Sequence, residues 1–339
     1  MKHSGALYDR LSTIRVGNTL CEYTQEQCKD KIPLIEEIQA LKQEKSALIL
    51  AHSYVHPDII YGVADEVGDS FALAKAAQKA SCDRIIFPAV RFMAETAKIL
   101  NPEKIVIDPN PYGGCSLAES ISPHEVLELK AAHPDFTFVC YINTTAEVKA
   151  LCDVCVTSSN VYEVLSRIPN EKIFFLPDRF MGKNLQNALA KAGIHKEIRF
   201  SGGSCYVHEQ FDIEQIALMK QIDATLVVLA HPECTPEVIG LADQILSTSG
   251  MMEYVKKHHA SNQRFLLLTE CGIMSRLQVE CPEANIVGSC MLCKYMRSNS
   301  LEQIRQALLD PRPSQIIELN DEIQTKALRC LEAMFYYTK

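Results

Sequence analysis

An internal repeat of roughly 90 residues constrains this chain more than any other feature. Cys115, Cys205 and Cys293 fall 90 and 88 residues apart, and each follows an apolar run and a glycine-containing turn. The runs are Ile105-Val106-Ile107 before Gly113-Gly114-Cys115, Ile198-Arg199-Phe200 before Gly202-Gly203-Ser204-Cys205, and Asn285-Ile286-Val287-Gly288 before Cys293. Paired glycines permit the tight or left-handed backbone of a close turn. Apolar runs with polar tips open each window: Leu48 to Tyr54, Phe138 to Asn143, and Val228 to Glu233. Hydroxyl-rich turns follow at Gly68-Asp69-Ser70, Thr157-Ser158-Ser159-Asn160 and Ser247-Thr248-Ser249-Gly250. A third apolar run comes at Ile85 to Phe87, Ile173 to Phe175 and Phe265 to Leu267, and two of these lead into the tripeptide Arg-Phe-Met at Arg91 and Arg179. Four features in one order, at nearly one step, mark three copies of a single unit.

The apolar runs are short, mostly unbroken and rich in Ile, Leu, Val and Phe, the pattern of parallel strands buried on both faces. Amphipathic stretches lie between them at Phe71 to Ala80, Val161 to Ile168 and Met251 to His258. The fold class is therefore α/β: three pseudo-symmetric α/β/α units, each with a small parallel sheet. The expected divisions are residues 1–115, 116–205 and 206–299, with residues 300–339 packing on the first unit. That last segment reads as a helix over Leu301 to Leu309, a strand at Ile316 to Leu319 and a closing helix from Glu322 to Tyr336. Residues 1–30 read as irregular, with a helix opening at Pro33, where the missing N–H costs nothing.

A net charge of −8 argues against nucleic acid or an anionic membrane as partner. No apolar run is long enough to span a bilayer, and the N-terminus lacks the apolar core of a signal peptide, so a cytoplasmic location is expected. Fourteen cysteines in such a chain point to metal or catalytic use of a subset rather than to a disulfide scaffold. Most of the rest, including Cys152-x-x-Cys155, read as small buried apolar residues.

Ligands of parallel sheets bind beyond the carboxyl ends of the strands. Three like units about a pseudo-threefold axis would bring the three cysteines to one point there. Three thiolates with no evident fourth ligand suit an iron–sulfur cluster with one open iron; zinc with three ligands and a water is the competing choice.

The residues resemble the quinolinate synthetase A family. The matching stretches are Ala51-His52-Ser53-Tyr54, Gly68-Asp69-Ser70, Phe92-Met93-Ala94-Glu95, Gly114-Cys115-Ser116, Tyr141-Ile142-Asn143-Thr144 and Thr157-Ser158-Ser159-Asn160. They continue with Pro177-Asp178, Cys205-Tyr206-Val207-His208, His231-Pro232-Glu233-Cys234, Ser247-Thr248-Ser249, Thr269-Glu270 and Cys293-Lys294-Tyr295-Met296. Two positions depart from the family pattern, Ser53 and Val55. The resemblance implies that the three α/β/α units surround a central active-site cavity, with a 4Fe–4S cluster on Cys115, Cys205 and Cys293. It implies condensation of iminoaspartate with dihydroxyacetone phosphate to quinolinate, releasing phosphate and water, for de novo NAD biosynthesis. L-Aspartate oxidase or aspartate dehydrogenase is the implied supplier of iminoaspartate. Carried over by motif, Tyr54, Tyr141, His231 and Glu233 are the expected acids and bases, and His52, Ser70, Asn143, Ser158, Ser247 and Thr248 the expected substrate contacts.

Cys290 and Cys293 compete for the third ligand position. The repeat step favours Cys293, as does the methionine three residues after it, Met296, and Cys290 is then a neighbouring free thiol. His208 stands evenly between a supporting role and none. Two readings compete for the whole chain: another open-iron hydro-lyase, and a non-catalytic zinc-stabilised protein. Ligands so far apart in sequence argue against structural zinc, which takes four ligands from a compact segment.

Overall fold

The computed structural model describes residues 3–16, 20–261, 263–288 and 291–339. Three four-stranded sheets, all parallel, follow one another along the chain. The first contains Ala47–His52, Glu66–Gly68, Arg84–Ile86 and Ile105–Ile107; the second Thr137–Tyr141, Val154–Val156, Lys172–Leu176 and Glu197–Phe200; the third Leu226–Ala230, Gln244–Ile245, Arg264–Leu268 and Asn285–Val287. In each sheet the first strand of the unit lies between the second and third, and the fourth lies outside the third. One topology used three times is the physical content of the sequence repeat.

The strands are buried on both faces, as their unbroken apolar runs require. In the third sheet Val228, Ala230, Leu266 and Leu268 face a local core with Phe211, Ile216 and Val238. Their neighbours Leu229, Phe265 and Leu267 face the main core, which is continuous with the other two units. The units are thus joined by shared apolar packing. Glu95 adds a polar link: its Oε2 accepts the Ala146 N–H of the second unit at 2.9 Å.

The ends of the chain differ from expectation. Residues His3–Leu11 form a helix, and Arg15–Val16 pairs antiparallel with Leu20–Cys21. The next helix runs Gln25–Glu44, with Pro33 inside it. Its start is fixed by Thr24, which accepts from the Gln27 N–H while the Gln27 side chain accepts from the Thr24 N–H; that reciprocal box outranks the proline as a start signal. The C-terminal segment divides between two units. Helix Leu301–Leu309 packs on Gln25–Glu44 of the first, but Asp321–Tyr337 packs chiefly on Ala146–Leu151 and Val154–Val156 of the second. The stretch from Ile316 is no strand; one antiparallel bridge, Ile107 to Ile316, ties it to the edge of the first sheet.

Candidate active site

Each edge strand delivers its cysteine to the same local turn. The carbonyls of Cys115, Cys205 and Cys293 accept the N–H groups of Glu119, Glu209 and Arg297, four residues on, at 2.9, 3.1 and 3.0 Å. A short 3-10 turn follows each time: Ala118–Ser120, His208–Gln210 and Met296–Ser298. Each Sγ thereby receives backbone N–H groups from the second and third residues after it: Leu117 and Ala118, Val207 and His208, Tyr295 and Met296. Burial still pushes all three thiols up, Cys115 to about 12. Glycine at 203 is required by space: a Cβ there would sit 2.7 Å from the Pro177 carbonyl.

All three cysteines line one cavity of about 80 Å³. His52, Tyr54, Ser70, Tyr141, Asn143, Ser158, His231, Glu233 and Thr248 line it with them. Ser247 is the exception among the expected contacts: its hydroxyl caps helix Thr248–His258 by accepting the Gly250 N–H at 3.2 Å. Cys290 lies outside the described residues.

A chain of polar contacts crosses the cavity. The Tyr54 hydroxyl meets Thr248 Oγ1 at 2.6 Å and Thr269 Oγ1 at 2.8 Å. Thr269 meets His208 Nε2 at 3.1 Å. His208 Nδ1 lies 3.0 Å from Glu233 Oε2, and the Tyr141 hydroxyl donates to Glu233 Oε1 at 2.6 Å. The chain joins side chains of all three units. His231 stacks on His208 with ring centres 4.6 Å apart. His52 and His231 end in one kind of turn, since the N–H of Tyr54 and that of Glu233 each point at the Nδ1 two residues back, at 3.2 and 3.4 Å.

These contacts set the charge states. Burial opposes ionisation of Glu233, but His208, His231 and the Tyr141 hydroxyl outweigh it and hold the carboxyl below its usual range. Burial and the Glu233 charge push the Tyr141 hydroxyl well up, and burial does the same to Tyr54. Burial draws His52 down to about 4 and His231 to about 3, so both rings are neutral near pH 7. The cavity therefore offers one buried carboxylate, two neutral imidazoles and two neutral phenols, a set suited to proton transfer.

Asp69 gives the site a feature the sequence reading passed over. Its Oδ1 caps its own helix through the Ala72 N–H, and its Oδ2 accepts from the Ser159 hydroxyl at 3.0 Å and the Ser249 N–H at 3.4 Å. One carboxylate thus gathers the hydroxyl turns of all three units, where helices Ser70–Lys79, Val161–Arg167 and Thr248–His258 begin. Helix N-termini carry partial positive charge. Thr269 and Glu270 also escaped assignment, although they stand among the matching motifs. Glu270 is buried, accepts the Cys293 N–H at 3.1 Å, and is pushed up to about 7 by burial against the pull of Arg297.

The donor set fits a 4Fe–4S cluster with one iron free of protein. Three sulfurs in one cavity, each with two N–H donors, match the thiolates such a cluster needs. Cys205, His208 and Glu233 also place ligand atoms within 4.8 Å of one another, a set zinc accepts. His208 Nε2 and Glu233 Oε1 are engaged with Thr269 and Tyr141, whereas His208 Nδ1 faces Glu233 Oε2 without a hydrogen bond; the trio is tied into the polar chain and keeps one imidazole nitrogen uncommitted. Cys152 and Cys155 lie away from the cavity, buried around Cys140, whose sulfur is 3.6 Å from that of Cys330.

Comparison with known proteins shows the family. A family model described as quinolinate synthetase A protein matches residues 36–336. The chain is 41% identical over 300 residues to quinolinate synthase of Xylella fastidiosa (strain Temecula1), covering 88% of this chain and 86% of that protein. It is 41% identical over 313 residues to quinolinate synthase of Thermus thermophilus, covering 89% and 96%. It is 37% identical over 333 residues to quinolinate synthase 1 of Mesorhizobium japonicum, covering 98% of each. With near-complete coverage of such relatives and a family match over most of its length, the chain belongs to the quinolinate synthetase A family.

Proposed function

We propose that this chain is a quinolinate synthase acting in NAD biosynthesis. It condenses iminoaspartate with dihydroxyacetone phosphate, and loss of phosphate and two waters balances the atoms of quinolinate. The observation that carries this reading is the meeting of three repeat-related cysteines with Tyr54, Tyr141, His231 and Glu233 in one buried cavity. Cys115, Cys205 and Cys293 hold the 4Fe–4S cluster, which supplies a Lewis-acidic iron to substrate oxygen or nitrogen.

The remaining chemistry falls to side chains. Ser70, Ser158, Thr248 and Asn143 offer hydroxyl and amide donors to the substrates' carboxylates and phosphate near three helix N-termini. That arrangement accommodates anions without a surplus of Lys or Arg, in keeping with the acidic chain. Ser247 acts behind them by fixing the helix that carries Thr248. His52 and His231, neutral, can accept a proton or donate a hydrogen bond. Tyr141, held neutral with its proton directed at ionised Glu233, can relay a proton: its oxygen takes one from the substrate as its own passes to Glu233. Tyr54 sits at the far end of the same chain through Thr269 and His208.

An L-aspartate oxidase or aspartate dehydrogenase supplies the unstable imine. Nothing in the fold calls for nucleic acid, and among the described residues no helix is long and apolar enough to cross a membrane; we place the reaction in the cytoplasm. The test is anaerobic purification, iron and sulfide analysis, and an assay for quinolinate from the two substrates. Zinc without iron would favour the structural-metal reading. An intact cluster without quinolinate formation would leave a different open-iron hydro-lyase.

A further inference from the structure

The three cysteine loops share one turn but are held differently. In the first, the Cys115 N–H donates to Glu119 Oε1 at 3.2 Å, four residues on. In the second, Glu209 holds the same place; it accepts from the Ser204 hydroxyl at 2.8 Å and pairs with Arg179 at 2.7 Å. The third loop has Arg297 there, a cation with no acceptor. The Cys293 N–H goes instead to Glu270 Oε1 at 3.1 Å, from beyond the strand Arg264–Leu268. The next N–H, that of Lys294, goes to the Tyr206 hydroxyl at 2.8 Å, and that hydroxyl donates to the Leu292 carbonyl at 3.3 Å. One phenol therefore bridges the two peptide groups that flank Cys293, and it also lies within reach of the Cys293 sulfur.

Tyr206 directly follows Cys205, so the second ligand loop holds the third. The ring is seated as well: Tyr295 packs edge-on with centres 6.3 Å apart, and the Lys294 ammonium lies 6.0 and 5.0 Å from the two rings. Leu292 is half exposed, so water competes for these peptide groups once the phenol is gone. The first two loops have short-range clasps; the third depends on residues distant in sequence.

We propose that Tyr206 is a positioning residue that latches the Cys293 loop across the unit boundary, making Cys293 the ligand whose release opens the cluster site. This rests on the reading of the three cysteines as cluster ligands. The test compares wild type with Tyr206→Phe and with Glu209→Gln, which disturbs the second loop instead. Anaerobically reconstituted proteins are followed for iron loss to a ferrous chelator, and turnover is expressed per retained cluster. In parallel the metal-free proteins are treated with iodoacetamide, and alkylation of each cysteine is timed by mass spectrometry.

Tyr206→Phe is expected to lose iron about five- to thirtyfold faster, the size that follows from one to two net hydrogen bonds. Alkylation of Cys293 rises with it, Cys115 and Cys205 keep their rates, and turnover per retained cluster and KM are unchanged. Glu209→Gln leaves the Cys293 rate as in wild type. Equal iron loss and equal Cys293 alkylation in wild type and Tyr206→Phe overturn the proposal. Equal acceleration at all three cysteines also overturns it, because the change is then general loosening. If wild type takes up no iron, the ligand reading fails, and the alkylation rates still decide whether Tyr206 latches the loop.

Discussion

Replacing Tyr141 with Phe deletes one hydroxyl from a residue that is 3% exposed and leaves its ring packing in place. The deleted group donates to Glu233 Oε1 at 2.6 Å, a short bond to a carboxylate that its surroundings keep ionised. A hydrogen bond to a charged group contributes about 1.5–3 kcal/mol, so losing orientation of Glu233 alone slows turnover about 10- to 150-fold. A phenol that also relays a proton to Glu233 in the rate-limiting step adds to this, and general acid–base catalysis is typically worth about 10²–10⁴-fold. We expect a fall of at least about a hundredfold, the overlap of the two ranges. The assay is quinolinate formation under anaerobic conditions, normalised to iron, with the visible spectrum recorded on the same sample. Turnover close to wild type with an unchanged spectrum would refute the role of Tyr141 in the proton transfers. Lost turnover together with lost iron would show instead that the cavity had rearranged.

Ala at Cys115, Cys205 or Cys293 should each abolish stable iron binding and activity, measured by iron analysis, whereas Cys290→Ala should retain both. Exposure to air should remove iron and activity together, because an iron without a protein ligand is open to oxidants; full retention of both would contradict the open-iron reading. Gly272→Ala places a Cβ 2.7 Å from Tyr54 Cα and 3.0 Å from the Ser53 carbonyl, which should cost about 1–3 kcal/mol in urea unfolding and lower turnover by displacing Tyr54. Metal-free protein should lose stability as pH falls from 6.5 towards 4, since the unfolded chain takes up a proton that buried His52 refuses until about pH 4. The His52 contribution amounts to about 3 kcal/mol by pH 4, and His52→Gln should flatten the urea midpoint over that window.

The fold was legible because every part of the repeat reports one physical requirement. Unbroken runs such as Phe265-Leu266-Leu267 must be buried on both faces, and the hydroxyl turns must begin helices, so alternation alone gave three parallel units. The ends of the chain carried weaker signals. Pro33 is compatible with a helix start, but Thr24 and Gln27 satisfy the free N–H groups of the first turn and so set the true one. The Ile316 stretch had the apolar character of a strand but only a sheet edge to meet, and it makes one bridge there. The closing helix could have lain on any unit by pattern. Its partner is settled by side chains such as Cys330, which reaches Cys140 in the second sheet.

In the site, the repeat alone marks the three cysteines, the acids, bases and substrate contacts came with the family motifs, and Asp69, Thr269 and Glu270 were missed. Cys115, Cys205 and Cys293 announce one another through spacing. Asp69 has no counterpart at the second and third turns, where Thr157 and Leu246 precede the serines, because one carboxylate serves all three. Glu270 likewise has Asp178 as its counterpart after the second sheet, but only Glu270 reaches a cysteine N–H. A threefold frame cannot bind an asymmetric pair of substrates with three equal walls. The repeat therefore fixes where the groups meet, and departures from the repeat give the cavity its direction: the Tyr141–Glu233 pair on one side, the Tyr54–Thr269–His208 chain on the other. Tyr54, Tyr141 and Glu233 were expected from the motifs, but which of them pair, and through Thr269 and His208, has no periodicity and could be read only after the three units were assembled in space.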